Sequence, residues 1–159
     1  MKRIALFLVV VFAAFAPSTH AQNDNGRAPR FTQEKLNVIE RNLVIALETP
    51  SPGMQASAAQ TVRDLKELSP EYSFSRLVIP LMRIVKDEAA EIGPRILASL
   101  ALEELHSEMG DYAIKRTAQF TDCNRMQHLC MALTAKRVQE EQLARILKQD
   151  ETREIATTH

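Results

Sequence analysis

The sequence is poor in the residues that build strands, flexible loops and aromatic surfaces. It has no tryptophan, four glycines and 5% aromatic residues in a chain of 159. Alanine, leucine, glutamate, arginine and glutamine are abundant and favour helix, whereas β-branched and aromatic residues are too few for several strands. The composition therefore predicts an all-α protein.

The same scarcities argue against several functions. The chain has no glycine-rich loop of the kind that holds phosphate groups, and its few aromatic residues offer little surface for stacking nucleic-acid bases. Basic and acidic residues number 20 each, so the basic excess typical of nucleic-acid binders is missing. No set of serine, histidine and aspartate has support in the sequence. We therefore predict a protein that is not an enzyme and binds neither nucleic acid nor a cofactor.

The N-terminus has the features of a cleavable secretory signal peptide. Two basic residues precede an unbroken apolar run of 13 residues from Ile4 to Ala16, shorter than the roughly 20 residues that span a bilayer. A cut between Ala21 and Gln22 would follow a small residue, as signal peptidases require. We expect residues 1–21 to be removed and the protein to be exported, either to a periplasm or out of the cell, with no stable membrane insertion after cleavage.

The remaining chain divides into a leader, a helical domain and a polar end. Residues 22–31 are polar and include glycine and proline, so we predict a disordered leader. Six segments follow with apolar residues at the three- and four-residue spacing of an amphipathic helix. We predict a helical-repeat domain over residues 32–137. A polar C-terminal helix and tail over residues 138–159 either covers the end of the core or projects as a charged helix.

Prolines and glycines predict where these helices begin and end. Pro52 follows a serine, and a capping hydroxyl before a proline ring is a strong helix start. Pro70 repeats this signal before the third helix. Pro80 is expected to kink the third helix or to set off a separate turn before it, and Gly110 is expected to end the fourth helix.

Two helix pairs share one pattern of apolar positions. Leu43 and Leu47 in the first predicted helix correspond to Leu81 and Val85 in the third, 38 residues later. The second and fourth helices correspond in the same way, and residues 111–137 look like a shortened third pair. A repeat of this length built from two helices is typical of an α-solenoid.

The second pair resembles a HEAT repeat. Residues 77–88 (LVIPLMRIVKDE) are similar to the first helix of such a repeat, with its internal proline and terminal Lys-Asp. Residues 95–105 (RILASLALEEL) are similar to the second helix, with an arginine near the start. The resemblance implies a short superhelix of about three helix pairs that binds proteins and carries no catalytic residue. The alternative is a compact helical bundle of similar amphipathic helices.

In a stack of this kind, the outer side of each second helix is the expected protein-binding face. The residues predicted to lie on it come from the second and fourth helices: Arg63, Lys66, Glu67, Arg95, Ser99 and Glu103. Arg125, Lys136 and Arg137 would extend this face with positive charge.

Two cysteines, Cys123 and Cys130, are present. In an exported protein such a pair suggests a disulfide. On one helix their Cα atoms would lie about 10 Å apart, beyond the roughly 7 Å that a disulfide spans. A bridge therefore requires Cys123 to fold back from the preceding turn. Together with Asp122 and His128 these cysteines match no standard zinc spacing, so we predict no metal site.

These features favour an exported, non-catalytic adaptor that binds another envelope or extracellular protein. The alternative is a periplasmic holdase or stress-response chaperone. The chain resembles this class in being a small exported all-α protein with threonine and glutamine near the mature N-terminus, here in Phe31-Thr32-Gln33. A holdase binds unfolded clients through exposed apolar surface. The polar outer sides of the predicted helices favour the adaptor.

Overall fold

The computed structural model describes residues 31–157, with side chains described as far as residue 149. The predicted signal peptide, its cleavage site and residues 22–30 of the leader lie outside this range. The described chain forms six helices: α1 (Gln33–Glu48), α2 (Pro52–Leu68), α3 (Val78–Lys86), α4 (Ile92–Leu105), α5 (Glu108–Phe120) and α6 (Asn124–Thr157). A 3-10 turn at Ser75–Leu77 precedes α3. The structure has no strand in the described range, which confirms the all-α prediction.

The six helices pack as three consecutive pairs. Helix α1 packs against α2, α3 against α4, and α5 against α6. The first helices of the pairs also contact each other in order, α1 with α3 and α3 with α5, and the second helices do likewise, α2 with α4 and α4 with α6. The described helices therefore lie in two layers, with the second pair between the first and the third. None of them is both long and apolar enough to cross a membrane.

Helix α4 lies at the centre of the packing. It contacts α2, α3, α5 and α6, and its small residues Ala98, Ser99 and Ala101 are fully buried together with Leu102. Small side chains allow neighbouring helices to approach closely on several sides. The largest fully buried side chains of the other elements are Leu47, Val62, Phe74, Leu77, Leu81, Val85 and Met126.

Hydroxyl side chains start several of the helices. Ser51 Oγ accepts a hydrogen bond from the Met54 backbone at 3.4 Å, so the predicted start of α2 at Pro52 is confirmed. Thr32 caps α1 and Ser107 caps α5 in the same way. Each cap satisfies a backbone N–H that has no partner inside its helix.

The helix start predicted at Pro70 is wrong. Residues 69–74 are not helical, and the helical path resumes at Ser75. Phe74 adopts a left-handed backbone, with φ of 47°, and its side chain is completely buried. A phenylalanine in this conformation interrupts a helix, and burial of its ring compensates for the unfavourable backbone. The tertiary contact of Phe74 therefore outweighs the local signal at Pro70.

The helix end predicted at Gly110 is also wrong. Helix α4 ends at Leu105, followed by His106 in a left-handed conformation with φ of 50°. Gly110 lies inside α5, where an added Cβ atom would come within 3.3 Å of the Leu102 carbonyl oxygen and 2.8 Å of Ser107 Oγ. The glycine therefore allows α5 to approach α4 closely.

Pro80 occupies the first turn of α3, three residues into the helix. Backbone N–H groups in a first turn have no partner within the helix, so a proline there sacrifices no hydrogen bond. Of the two predicted alternatives, the structure shows the separate turn before α3. This turn lies at Ser75–Leu77.

A buried carboxylate fixes the segment between α2 and α3 against α1. Glu40 is 3% exposed, and its Oε1 accepts a hydrogen bond from the Arg76 backbone N–H at 3.0 Å. The Tyr72 hydroxyl lies 3.1 Å from Glu40 Oε2 and 2.8 Å from Asn37 Oδ1. Burial, followed by the hydrogen bond and the charge of Glu40, raises the pKa of Tyr72. Glu40 therefore joins two segments that are more than 30 residues apart in sequence.

Helix α6 passes without a break through residue 137, where the sequence suggests a domain boundary. Its first half is anchored in the core by Met126, Cys130 and Leu133, which are buried. Residues 138–149 are all exposed, so this half projects from the packed helices.

Candidate interaction surfaces

The predicted protein-binding face does not exist on α4. Arg95, Ser99 and Glu103 are 4%, 0% and 5% exposed. The resemblance to stacked helix pairs predicts these residues on the outer side of a second helix, but α4 is enclosed by four other helices. These three side chains therefore lie inside the domain.

Each of these buried polar side chains connects α4 to a neighbouring element. Arg95 Nε donates to the Val85 carbonyl oxygen at the end of α3, at 3.2 Å. Ser99 Oγ donates to the Arg95 carbonyl oxygen at 2.9 Å and lies 4.0 Å from Cys130 Sγ of α6. Glu103 accepts a hydrogen bond from Lys136 Nζ of α6 at 2.7 Å. This hydrogen bond is the main reason that the pKa of Lys136 is raised.

The α2 part of the predicted face does line a surface groove. Arg63, Lys66 and Glu67 border a groove of about 600 Å³ between α2 and the end of α4. Arg63 lies 3.8 Å from the Glu104 carboxylate, and Lys66 donates to a linker carbonyl, that of Tyr72, at 3.0 Å. Both cations are thus already engaged within the protein, which weakens this groove as a charged binding site.

The proposed basic extension of that face is also largely engaged. Arg137 pairs with Asp111 at 3.2 Å and contacts the His106 ring. Lys136 pairs with Glu103. Arg125 is exposed at the start of α6. The two residues with partners hold α6 against the end of α4 and the start of α5.

The candidate disulfide is not formed. Cys123 and Cys130 are both free thiols. The Cys123 carbonyl oxygen accepts the first hydrogen bond of α6, from Gln127 at 2.9 Å, so this cysteine immediately precedes the helix and leads directly into it. The two Cα atoms are then separated by about two helical turns, too far for a bridge.

We predict that the two thiols differ strongly in reactivity. Cys130 is fully buried beside Ser99, and burial raises the pKa of its thiol, whereas Cys123 is partly exposed. Because the thiolate is the reactive form, brief alkylation of the native protein should label Cys123 alone. Unreduced protein in concentrated urea should take two labels, as measured by intact mass. Absence of labelling in urea before reduction would instead demonstrate a disulfide.

No metal-ligand cluster is present in the part of the chain that the structure describes. Around the cysteines, Cys130 is buried in the core whereas Asp122 and His128 are exposed. These side chains therefore do not converge on one point.

Exposed apolar side chains mark surfaces that the sequence pattern did not predict. On α6, Leu143, Ile146 and Leu147 are 58%, 55% and 57% exposed. Their spacing of three and four residues places them on one side of the helix, and we call them the α6 stripe. Val138 is also exposed, but at about 100° of rotation per residue it lies on another side of the helix.

A second exposed apolar surface lies on the layer formed by α1, α3 and α5. Ile45 and Ile79 border a groove of about 540 Å³ between α1 and α3, which Arg41, Arg76 and Arg83 also line. Tyr112 and Phe120 are exposed on α5. The outer sides of these helices are thus less polar than the sequence suggested.

No family model, curated protein or solved structure matches the chain.

Proposed function

We propose that the protein is a non-catalytic interaction module, built from HEAT-like stacked helix pairs, that binds a folded partner protein through the α6 stripe. The observation that carries this proposal is the exposure of Leu143, Ile146 and Leu147 on a helix whose other half is anchored in the core. Apolar residues at this spacing are the anchors with which an amphipathic helix enters a groove of its partner.

The projecting half of α6 is supported by charged pairs on its surface. Lys136 lies 3.7 Å from Glu140, and Arg145 lies 4.0 Å from Glu141, one helical turn away in each case. Such pairs stabilise an exposed helix by about 0.3 to 0.5 kcal/mol each. The α6 stripe is therefore held in helical form before a partner arrives, which reduces the ordering cost of binding.

The size of the α6 stripe limits what it contributes to affinity. Complete burial of a leucine or isoleucine side chain is worth about 1.5 to 3 kcal/mol, and roughly half of each side chain is already covered. The three residues together offer about 3 kcal/mol, less than association commonly costs. The partner must therefore contact more of α6 or the adjoining surface, and the charged side chains of α6 beside the stripe are the nearest groups available.

The order of helix contacts supports the HEAT-like stacking. Each pair packs on the next, layer by layer, and the second pair lies between the other two. A stacked array presents its outer helices to solvent, and α6 belongs to the third of the three pairs in the described range.

The predicted signal peptide extends the proposal to location. Export would place the module in a periplasm or outside the cell, so its partner is an envelope or extracellular protein. The features that support this are the apolar run and the small residue before the expected cut, both in residues 1–21.

A holdase is the second candidate, favoured by the apolar side chains on the other layer. Ile45 is 67% and Phe120 is 68% exposed, and scattered apolar surface of this kind suits many unrelated unfolded clients. The two functions differ in which residues binding requires.

The test is crosslinked capture of partners by the full chain in its own cells, followed by binding of the purified partner in vitro. The variant L143E/L147E should reduce capture of one or two recurrent folded proteins by about tenfold or more, because it places carboxylates at the centre of an apolar contact. The control Ile45→Glu places a carboxylate at an exposed apolar residue of the other layer and should leave capture unchanged. Calorimetry with the purified partner should then give a fixed stoichiometry.

Three results would redirect the proposal. Capture that is insensitive to L143E/L147E would reject the α6 stripe as the binding element. Many unrelated clients, reduced by both variants, would establish the holdase. Concentration-dependent dimerisation of the purified protein, abolished by L143E/L147E, would show that the stripe binds a second copy of this chain.

A further inference from the structure

Arg95 is a buried cation without an acidic partner. Its side chain is 4% exposed, and among the described residues no carboxylate lies within ion-pair distance of it. It donates from Nε to the Val85 carbonyl oxygen at 3.2 Å, and its Nη2 lies 3.4 Å from Thr121 Oγ1. A guanidinium has five N–H protons, so these contacts leave most of its donor capacity unused. An uncompensated charge at such a site is unfavourable.

The guanidinium of Arg95 borders a surface pocket between the end of α3 and the end of α5. The pocket has a volume of about 220 Å³. A water molecule takes about 30 Å³ of the liquid, so the pocket has room for about seven waters and is large enough for a group of four or five heavy atoms. Its lining includes three cationic side chains, Lys86, Arg95 and Arg116, and one anionic side chain, Glu88. The lining therefore carries a net charge of +2.

Two further groups are suited to an anion. Thr121 Oγ1 accepts hydrogen bonds from the Cys123 backbone and from Arg95, while its own proton has no acceptor within the described chain. Arg116 lies over the exposed Phe120 ring, 5.2 Å from its centroid. This contact, worth about 0.5 to 1 kcal/mol at an exposed site, holds a second guanidinium at the rim of the pocket.

The ends of α3 and α5 differ in the residue that could neutralise Arg95. The residue that follows α3 is Asp87, whereas the residue that follows α5 is Thr121, and it is Thr121 that Arg95 reaches. An aspartate at position 121 would neutralise Arg95 from within the protein. Thr121 offers a hydroxyl there, so the charge of Arg95 is left for a ligand.

We propose that this pocket binds a single oxyanion group, a phosphate or a carboxylate, with Arg95 at its base and Arg116, Lys86 and the Thr121 hydroxyl around it. A guanidinium matches two oxygens of either group with parallel hydrogen bonds. The pocket is separate from the α6 stripe, and the ligand would bind whether or not the stripe has a partner.

The experiment is a titration of the purified protein followed by NMR of backbone amides and arginine Nε–H groups. Sodium phosphate and sodium acetate are compared with sodium chloride at constant ionic strength. We expect saturable shifts at Arg95 Nε–H and at the amides of Thr117 and Thr121, with millimolar affinity. The anion that binds more tightly identifies the ligand as a phosphate or a carboxylate. Shifts that follow chloride as closely as the two oxyanions would overturn the proposal.

Substitutions at the exposed rim make the test independent of folding. Arg116→Gln should weaken binding about two- to fivefold, as expected for one partly solvated charge, and Glu88→Gln should strengthen it by a similar factor. The matched control is Lys115→Gln, which removes the same charge from the neighbouring residue of α5 outside the pocket. An equal effect of Lys115→Gln and Arg116→Gln would mean that only the general surface charge attracts anions, and would refute the site. Arg95→Gln should abolish saturation, provided its circular dichroism spectrum remains native.

Discussion

Replacing Phe74 with alanine should lower the free energy of unfolding by about 3 to 5 kcal/mol, the usual cost of emptying a large aromatic site in a core. Phe74 is completely buried and packs edge-on against Tyr72, with ring centroids 4.6 Å apart. Alanine retains the unfavourable left-handed backbone at this position while losing the ring that compensates for it. Urea unfolding followed by circular dichroism measures the change.

The protein contains a matched control for this substitution. Phe120 is the same residue type but is 68% exposed, and Phe120→Ala should cost no more than about 1 kcal/mol, through loss of its contact with Arg116. Similar losses from both variants would show that the buried position of Phe74 is not what stabilises the linker between α2 and α3.

Replacing Glu40 with glutamine should cost about 1.5 to 3 kcal/mol, the range for hydrogen bonds to a charged group. The substitution preserves the size of the side chain. It removes the charge and replaces one of the two acceptor oxygens of Glu40 with an NH₂ group. Either the Arg76 backbone N–H or the Tyr72 hydroxyl therefore loses its acceptor. Denaturant unfolding at neutral pH gives the value.

Glu48 provides the comparison for Glu40. Its carboxylate pairs with Arg83 at 3.0 Å, but both side chains are largely exposed, so Glu48→Gln should change stability by less than about 1 kcal/mol. A double-mutant cycle of Glu40→Gln with Tyr72→Phe should give a coupling of about 0.5 kcal/mol or more. A coupling of zero, or equal costs at Glu40 and Glu48, would contradict the role assigned to Glu40.

The helical class followed from the sequence because composition and apolar spacing are properties of each segment alone. The burial of Arg95, Ser99 and Glu103 could not be predicted in this way, because it depends on how many helices surround α4. A single amphipathic helix has one buried side, and polar residues are then assigned to the other. The signal that could have corrected this was the broad apolar surface of α4, with Ala98 and Ala101 among larger residues, since a helix that is apolar on most sides is enclosed.

The misplaced helix ends have a similar origin. Pro70 and Gly110 have strong local preferences, but long-range contacts decide what each of them does. Burial of Phe74 overrides the start at Pro70, and the close approach of α5 to the Leu102 carbonyl oxygen requires Gly110. Glu40 fits the apolar spacing of α1, lying between Leu36 and Leu43 on the buried side. A carboxylate at such a position could have indicated a buried polar contact, although its partners could not be named.

The continuity of α6 sets where a partner of the proposed α6 stripe would lie. At a rise of 1.5 Å per residue, the α6 stripe is about 9 to 15 Å beyond Arg137, the last residue that ties the helix to the start of α5. Each residue also turns the helix by about 100°. The direction in which the stripe faces, relative to the two layers, is therefore fixed along with its distance from Arg137. The anchored half and the projecting half belong to one continuous helix. A force applied to a partner at the stripe would therefore be transmitted along the helix to the contacts of α6 with α4 and α5.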